Sequence, residues 1–86
     1  MRLVFTPQGW EDYIHWQRAD RSVLKRINRL IEDALRDPTH GIGKPEPLKY
    51  GIPGGWSRRI TEEHRLVYRV MDEDLVILQA RYHYDK

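Results

Sequence analysis

Cysteine is absent from the 86-residue chain, and this absence excludes disulfide bonds, thiolate nucleophiles and zinc sites built from cysteine. Long apolar runs are absent as well. The run nearest the amino terminus, Leu3–Phe5, is far shorter than the apolar region of a signal peptide or of a membrane-spanning helix. From these two absences we expect a cytoplasmic protein in a reducing compartment, without a membrane segment.

Positive charges exceed negative charges only slightly: the chain has 15 Lys and Arg residues and 13 Asp and Glu residues, for a formal net charge of +2. The excess is local, since the segment 44–69 carries six basic and three acidic residues. Eleven of the 15 basic residues are arginine, whose planar guanidinium binds phosphates through two parallel hydrogen bonds. This distribution favours a nucleic-acid partner. The alternative is a solvated surface with exposed salt bridges.

The length leaves room for one domain, which we expect to span residues 1–86. Such a small domain has a thin core, so a second copy of the chain would add stability and a homodimer is a reasonable expectation.

The first half of the chain predicts one strand followed by two helices. Arg2–Phe5 has the pattern of a short strand, and Thr6-Pro7 has the chemistry of a helix N-cap followed by proline at the first helical position. A first helix is predicted over 9–19. The second begins after Asp20 or Ser22, either of which is a suitable cap, and its apolar residues recur at spacings of three and four.

Residues 38–55 contain four prolines and five glycines, which resist both helix and sheet. Pro38 ends the second helix, because the residue before a proline is pushed out of helical geometry. Loops longer than about 15 residues are uncommon in compact domains and are usually functional or disordered, and prolines stiffen a chain. We therefore interpret 38–55 as one long, ordered, functional loop.

From Trp56 onward the apolar residues recur with a period of two, which is typical of strands. Strands are predicted over 56–61, 65–71 and 75–84, with turns at 62–64 and 72–74. The element order is therefore β-α-α-β-β-β. This order predicts an α+β fold in which a small antiparallel sheet, joined by the first strand, carries the helical hairpin on one face.

Two common kinds of site are excluded. The segment His40–Pro45 has glycines and a lysine, but a phosphate-binding P-loop requires glycine where Pro38 stands and Ser or Thr where Pro45 stands. The histidines at 15, 40, 64 and 83 show neither an H-E-x-x-H helix nor a spacing typical of zinc. We therefore expect neither a metal nor another cofactor.

Polar residues remain where open surface is expected: Glu46 on the loop, Arg65 at the start of a strand and His83 near the end of the chain. Metal-free RNA cleavage needs a base for the ribose 2′-hydroxyl, a cation for the charge on the phosphorane and an acid for the departing 5′-oxygen. These three residue types supply those roles. Each also has a structural alternative: Glu46 as a solvated carboxylate, His83 as an exposed strand end, and Arg65 as an ion-pair partner of Glu62 or Glu63.

The aromatic residues are divided between core and site. Alternation along the last strand places Tyr82 in the core, whereas Tyr84, nearer the end, is free to meet a base. Trp10, Trp16 and Trp56 are better interpreted as core or interface residues than as stacking platforms for nucleobases.

Three sequence blocks together carry a family resemblance. GKPEPLK at 43–49, WSRRITEEHRLVY at 56–68 and RYHY at 81–84, with a looser W-x-D-Y-x-x-W-Q pattern at 10–17, closely resemble the YoeB (Txe) toxins of the RelE/ParE superfamily. The resemblance runs essentially from end to end. It implies a microbial-ribonuclease-like fold and a ribosome-dependent messenger-RNA endonuclease, the toxin of a bacterial type II toxin-antitoxin module, with a YefM-like antitoxin as partner.

The resemblance also implies roles for individual residues. Glu46 matches the general base of the family, His83 the general acid, Arg65 the cation that stabilises the transition state, and Tyr84 the residue that orients the scissile nucleotide. The phosphate-contacting residues that it implies are Lys49 and Arg59; the same basic segment adds Arg58 and Lys44 as candidate substrate-binding residues. The chain departs from the family pattern in the glycine- and proline-rich stretch 50–55 and in the extension Asp85-Lys86.

Two other functions stay open at this point. One is a ParE-like poison that binds DNA gyrase and cuts no nucleic acid, for which Glu46 and His83 would be dispensable. The other is an RNA- or protein-binding module without catalysis, which would show steep salt dependence without strand scission.

Overall fold

The computed structural model describes residues 1–83, and every structural statement below concerns those residues. The elements are β1 Arg2–Phe5, α1 Pro7–Ala19, α2 Arg21–Arg36, β2 Glu46–Pro47, β3 Gly55–Arg59, β4 Arg65–Met71 and β5 Asp74–Gln79. The strands form one five-stranded sheet in the order β1-β5-β4-β3-β2. Within 1–83, neither helix is long and apolar enough to cross a membrane.

The α+β fold class is confirmed, with one correction to the sheet. We expected an antiparallel sheet, but β1 pairs with β5 in parallel, so the sheet is mixed. A parallel pair needs a long connection between its strands, and here two helices and three strands separate β1 from β5 along the chain. The remaining strand pairs are antiparallel.

Both helices start at the caps that the sequence predicted. The Thr6 hydroxyl accepts a hydrogen bond from the Gly9 amide, and Pro7 occupies the first helical position. Asp20 serves both helices: its amide closes α1 on the Trp16 carbonyl, and its carboxylate accepts from Ser22 and Val23 at the start of α2. The chain therefore turns between the helices without an intervening loop.

The core lies between the helices and one face of the sheet. The apolar stripe of α2 is buried against apolar side chains of β4 and β5, and Trp16 of α1 joins the same cluster. At about 25 cal/mol for each Å² of apolar area removed from water, fully burying one such aliphatic side chain stabilises the fold by about 2 kcal/mol. Ile27, Leu30, Leu66, Leu75 and Ile77 are completely buried.

The strands differ from the sequence prediction at three places. β3 runs Gly55–Arg59 instead of 56–61. The long loop contains β2, a two-residue strand that pairs with β3. The last strand ends at Gln79 instead of continuing to 84, because α1 provides hydrogen-bond partners for both backbone groups of Ala80. The Asp12 carboxylate accepts from the Ala80 amide and the Trp16 indole donates to the Ala80 carbonyl.

Beyond β5 the chain therefore leaves the sheet. Tyr82 has a φ of 65°, outside extended geometry, and the residue is 58% exposed. Its predicted place in the core is wrong. Of the three tryptophans predicted as core or interface residues, Trp16 is buried, Trp56 packs against the core and Trp10 is 50% exposed.

Candidate active site

The strand register brings three of the predicted site residues to one face of the sheet. Glu46 pairs with Ser57, and Arg59 pairs with Arg65. Directly paired residues, and residues two apart on a strand, point to the same face. Glu46, Arg59 and Arg65 therefore share the face opposite to that of Arg58, which is completely buried toward the helices.

A cavity of about 520 Å³ opens beside the ends of β3 and β4. Arginines from three different elements surround it together with an imidazole, so the cavity suits a phosphate group. Of the predicted site residues, Arg59, Arg65 and His83 line it. Within residues 1–83, the lining consists of Arg26, Arg59, Ile60, Thr61, Glu62, Arg65 and His83.

Arg26 was missed by the sequence analysis. It lies in α2, and its Nη2 donates to the Arg59 carbonyl over 3.3 Å, which holds the side chain over the end of β3. Its neighbour Ile27 belongs to the buried apolar stripe of the helix. An arginine that borders the apolar stripe of an amphipathic helix has its charged end near the sheet on which the helix packs. The position of Arg26 next to this stripe is the sequence feature that could have identified it.

Arg65 is held by backbone carbonyls. Its Nη1 donates to the carbonyls of Thr61, Glu62 and His64 over 2.7, 3.1 and 3.1 Å. The expected alternative of an ion pair with the Glu62 or Glu63 carboxylate is therefore not the arrangement found. Because these hydrogen bonds all use Nη1, the guanidinium is fixed at one corner, while among residues 1–83 Nη2 and Nε have no acceptor and can donate to a ligand.

His83 and Arg65 meet at a single oxygen. His83 Nε2 lies 3.2 Å from the Glu62 carbonyl, which also accepts from Arg65 Nη1. Because a carbonyl can only accept, Nε2 carries the proton in this contact. The candidate acid and the candidate cation are thus next to each other at the rim of the cavity.

Glu46, Lys44 and Lys49 lie on the exposed segment around β2, outside the cavity lining. Glu46 shares the sheet face of Arg59 and Arg65, so a bound strand would extend from the cavity along the sheet to reach it. The predicted role of Tyr84 and the extension Asp85-Lys86 lie outside the described residues.

The structure contradicts the prediction that Arg58 binds the substrate. Its side chain is completely buried, and each guanidinium nitrogen donates to a partner within the protein. Nε donates to the Tyr68 hydroxyl and Nη1 to the Asp33 carboxylate, over 2.9 and 2.6 Å. The remaining bonds go to carbonyls of Asp37, His40 and Ile42. Burial and full hydrogen bonding prevent Arg58 from contacting a substrate.

The Arg58 bonds instead fix the loop that precedes Glu46. The Asp33 carboxylate also accepts from the Ile42 amide. This bond, followed by the bonds from Arg58 and Arg36, lowers the pKa of Asp33 from its ordinary 3.8 to about 2. Gly41 has a φ of 131°, and a Cβ there would overlap the Asp33 carboxylate, so only glycine fits this turn.

Within residues 1–83, no three His, Asp or Glu side chains come close enough together to hold a metal ion. The site described above consists of guanidinium, imidazole and carboxylate groups. These groups bind phosphate and transfer protons.

Comparison with known proteins adds a consistent set of relatives. A family model described as "YoeB-like toxin of bacterial type II toxin-antitoxin system" matches residues 5–84. The toxin YoeB of Streptomyces coelicolor is 64% identical over 84 residues, which cover 98% of this chain and 100% of that protein. The structure of a YoeB/ParE toxin from Agrobacterium tumefaciens superposes with a TM-score of 0.94 at 52% identity, covering 98% of this chain and 100% of that one.

The YoeB of Staphylococcus aureus is similar as well, and it has been solved both alone and with a partner. Its dimer superposes with a TM-score of 0.90 at 45% identity. Its complex with YefM gives a TM-score of 0.87 at 44% identity. In both comparisons 98% of each chain is covered.

Proposed function

The chain belongs to the YoeB-like toxins of bacterial type II toxin-antitoxin systems, and we propose that it acts as an endoribonuclease on messenger RNA in the ribosomal A site. The observation that supports this proposal most directly is the cavity in which Arg59, Arg65 and His83 meet. The two adjacent arginines also support binding of RNA on one face of β3, because Arg58 is buried and hydrogen-bonded within the protein whereas Arg59 is exposed.

The proposed reaction is attack of the ribose 2′-oxygen on the adjacent phosphorus. Glu46 accepts the 2′-hydroxyl proton, Arg65 and Arg59 stabilise the added negative charge on the phosphorane, and His83 gives a proton to the departing 5′-oxygen. The phosphorus–5′-oxygen bond breaks as the phosphorus–2′-oxygen bond forms. The products are a 2′,3′-cyclic phosphate and a free 5′-hydroxyl, and inhibition of translation follows from the cut messenger.

The partners in this proposal are the ribosome, the messenger and a YefM-like antitoxin. A YefM complex of the S. aureus relative supports the antitoxin, and the dimer of that relative supports a homodimer of this chain. The net positive segment 44–69 lies around the cavity and along β2 to β4. An acidic segment of the antitoxin and the phosphates of RNA would therefore compete for the same positively charged surface.

The first experiment compares the same messenger, naked and loaded on translating bacterial ribosomes, after incubation with antitoxin-free folded protein. We expect cuts in the A-site codon only when ribosomes are present, with 2′,3′-cyclic phosphate ends that can open to a 3′-phosphate. An intact messenger in both reactions would remove the nuclease function and direct the search to gyrase.

The second experiment assigns the proton transfers. Glu46→Gln and His83→Gln should each lower the single-turnover cleavage rate by at least about 100-fold, the low end of an acid-base contribution. Glu73→Gln, an exposed carboxylate in the turn before β5, is the matched control and should cut at the wild-type rate. A near-wild-type rate in the Glu46 or His83 variant would remove that residue from the mechanism.

A further inference from the structure

The segment that carries His83 is held in an unusual backbone conformation. Tyr82, immediately before His83, has a φ of 65°, in the left-handed region that residues with a Cβ seldom adopt. Such a conformation costs free energy and persists only where surrounding contacts determine it. The contacts at this segment come mainly from two side chains, His64 and Gln79.

His64 accepts the amide hydrogen of Tyr82. Its Nδ1 lies 2.8 Å from the Tyr82 nitrogen, and the next residue along, Arg65, donates its amide to the Tyr82 carbonyl over 3.1 Å. Because the Tyr82 amide must donate, His64 Nδ1 is unprotonated and its proton is on Nε2. The ring packs between Trp16 and Tyr82, at centroid distances of 4.8 and 5.6 Å, and is 14% exposed.

Gln79 also holds this segment. It is the last residue of β5, and its amide nitrogen donates to the Arg81 carbonyl over 2.8 Å. The Tyr82 and His83 carbonyls each lie 3.3 Å from the same nitrogen. One amide group thus spans three successive carbonyls and closes the turn that brings His83 toward Arg65.

We propose that His64 and Gln79 are positioning residues for His83, acting through the backbone of 81–83. Neither side chain lines the cavity, so neither is in place to transfer a proton to the RNA. Their function is to set the distance between the His83 imidazole and the phosphate that Arg65 holds. This inference rests on the proposed nuclease function.

Two pairs of variants separate hydrogen bonding from packing. His64→Phe keeps an aromatic ring between Trp16 and Tyr82 but removes the acceptor, whereas His64→Asn keeps an acceptor near the Nδ1 position and loses the ring. Gln79→Met keeps the length of the side chain and removes the donor. Gln17→Met, an exposed glutamine of α1, is the matched control.

We expect His64→Phe and Gln79→Met to lower kcat by about 10- to 100-fold, the loss that follows from a misplacement of about 1 Å. KM should stay within about twofold, because the phosphate-binding arginines are unchanged; His64→Asn and Gln17→Met should stay near the wild-type kcat. Wild-type kcat in both His64→Phe and Gln79→Met would overturn the inference. A kcat in His64→Asn as low as in His64→Phe would overturn the role of the Nδ1 acceptor.

A spectroscopic measurement on the free protein keeps this test independent of cleavage. Long-range 1H–15N spectra should show an unprotonated Nδ1 at His64, and the His83 ring signals should move in His64→Phe and Gln79→Met but not in Gln17→Met. Unmoved His83 signals in both variants would overturn the inference even if wild type cuts RNA. Moved signals in a protein that cuts nothing would support the positioning role while removing the proposed reaction.

Discussion

Arg58 and Arg59 are adjacent arginines for which the structure predicts opposite consequences of the same substitution. Arg58→Met removes a completely buried guanidinium that donates to Asp33, Tyr68 and three carbonyls. Arg59→Met removes an exposed side chain at the edge of the cavity. We expect Arg58→Met to reduce stability and Arg59→Met to reduce cleavage.

The size of the stability loss depends on how well the Asp33 carboxylate is still paired when Arg58 is removed. Removing one partner of a buried ion pair costs about 3 to 5 kcal/mol. Asp33 keeps its bond from the Ile42 amide and its pair with Arg36, and its side chain is 13% exposed, so we expect the low end, about 3 kcal/mol. For a domain of this size this corresponds to a Tm lower by about 12 to 24 °C.

The assay is urea unfolding followed by tryptophan fluorescence, paired with single-turnover cleavage on ribosomes at a temperature where each variant is folded. Arg59→Met should change the free energy of unfolding by less than about 0.5 kcal/mol. A loss below about 1 kcal/mol in Arg58→Met would refute the reasoning, since one exposed interaction would account for it. If Arg58→Met had wild-type stability but had lost cleavage, Arg58 would instead be a substrate-binding residue.

Three further predictions concern the cavity and the loop. Arg26→Ala should lower the slope of log affinity against log salt for a single-stranded RNA by about 0.7, the contribution of one phosphate contact; an unchanged slope would place Arg26 outside the RNA interface. The pKa of Asp33 is depressed to about 2 from 3.8, so its stabilising contribution is complete above pH about 4 and is lost as the pH falls toward 2. Thermal melts of Asp33→Asn should therefore vary less with pH in that window than wild type, and equal slopes would contradict the assignment. Gly41→Ala should cost more than about 1 kcal/mol in urea unfolding, because the new Cβ meets Asp33 at a positive φ; wild-type stability would show that the turn can relax.

Much of the architecture could be predicted from the sequence because it depends on interactions between residues that are close together in the chain. The Thr6 and Asp20 caps act on amides two or three residues away, and the spacing of apolar residues set both helices. The strand β4 was predicted at its observed bounds, Arg65–Met71. Arg58 and Arg59 were both predicted to bind substrate, although neighbouring residues of a strand point to opposite faces of the sheet.

The sequence alone determined the fold class and the family of this protein, because helix caps, apolar periodicity and the three family blocks are all local patterns. Which arginine of β3 faces inward was decided only by Asp33 and Tyr68, brought there from α2 and β4. Likewise, the end of β5 at Gln79, the turn at Tyr82 and the position of Arg26 depend on α1, on His64 and on the end of β3. These contacts join residues far apart in the chain, so they exist only once the helices pack on the sheet.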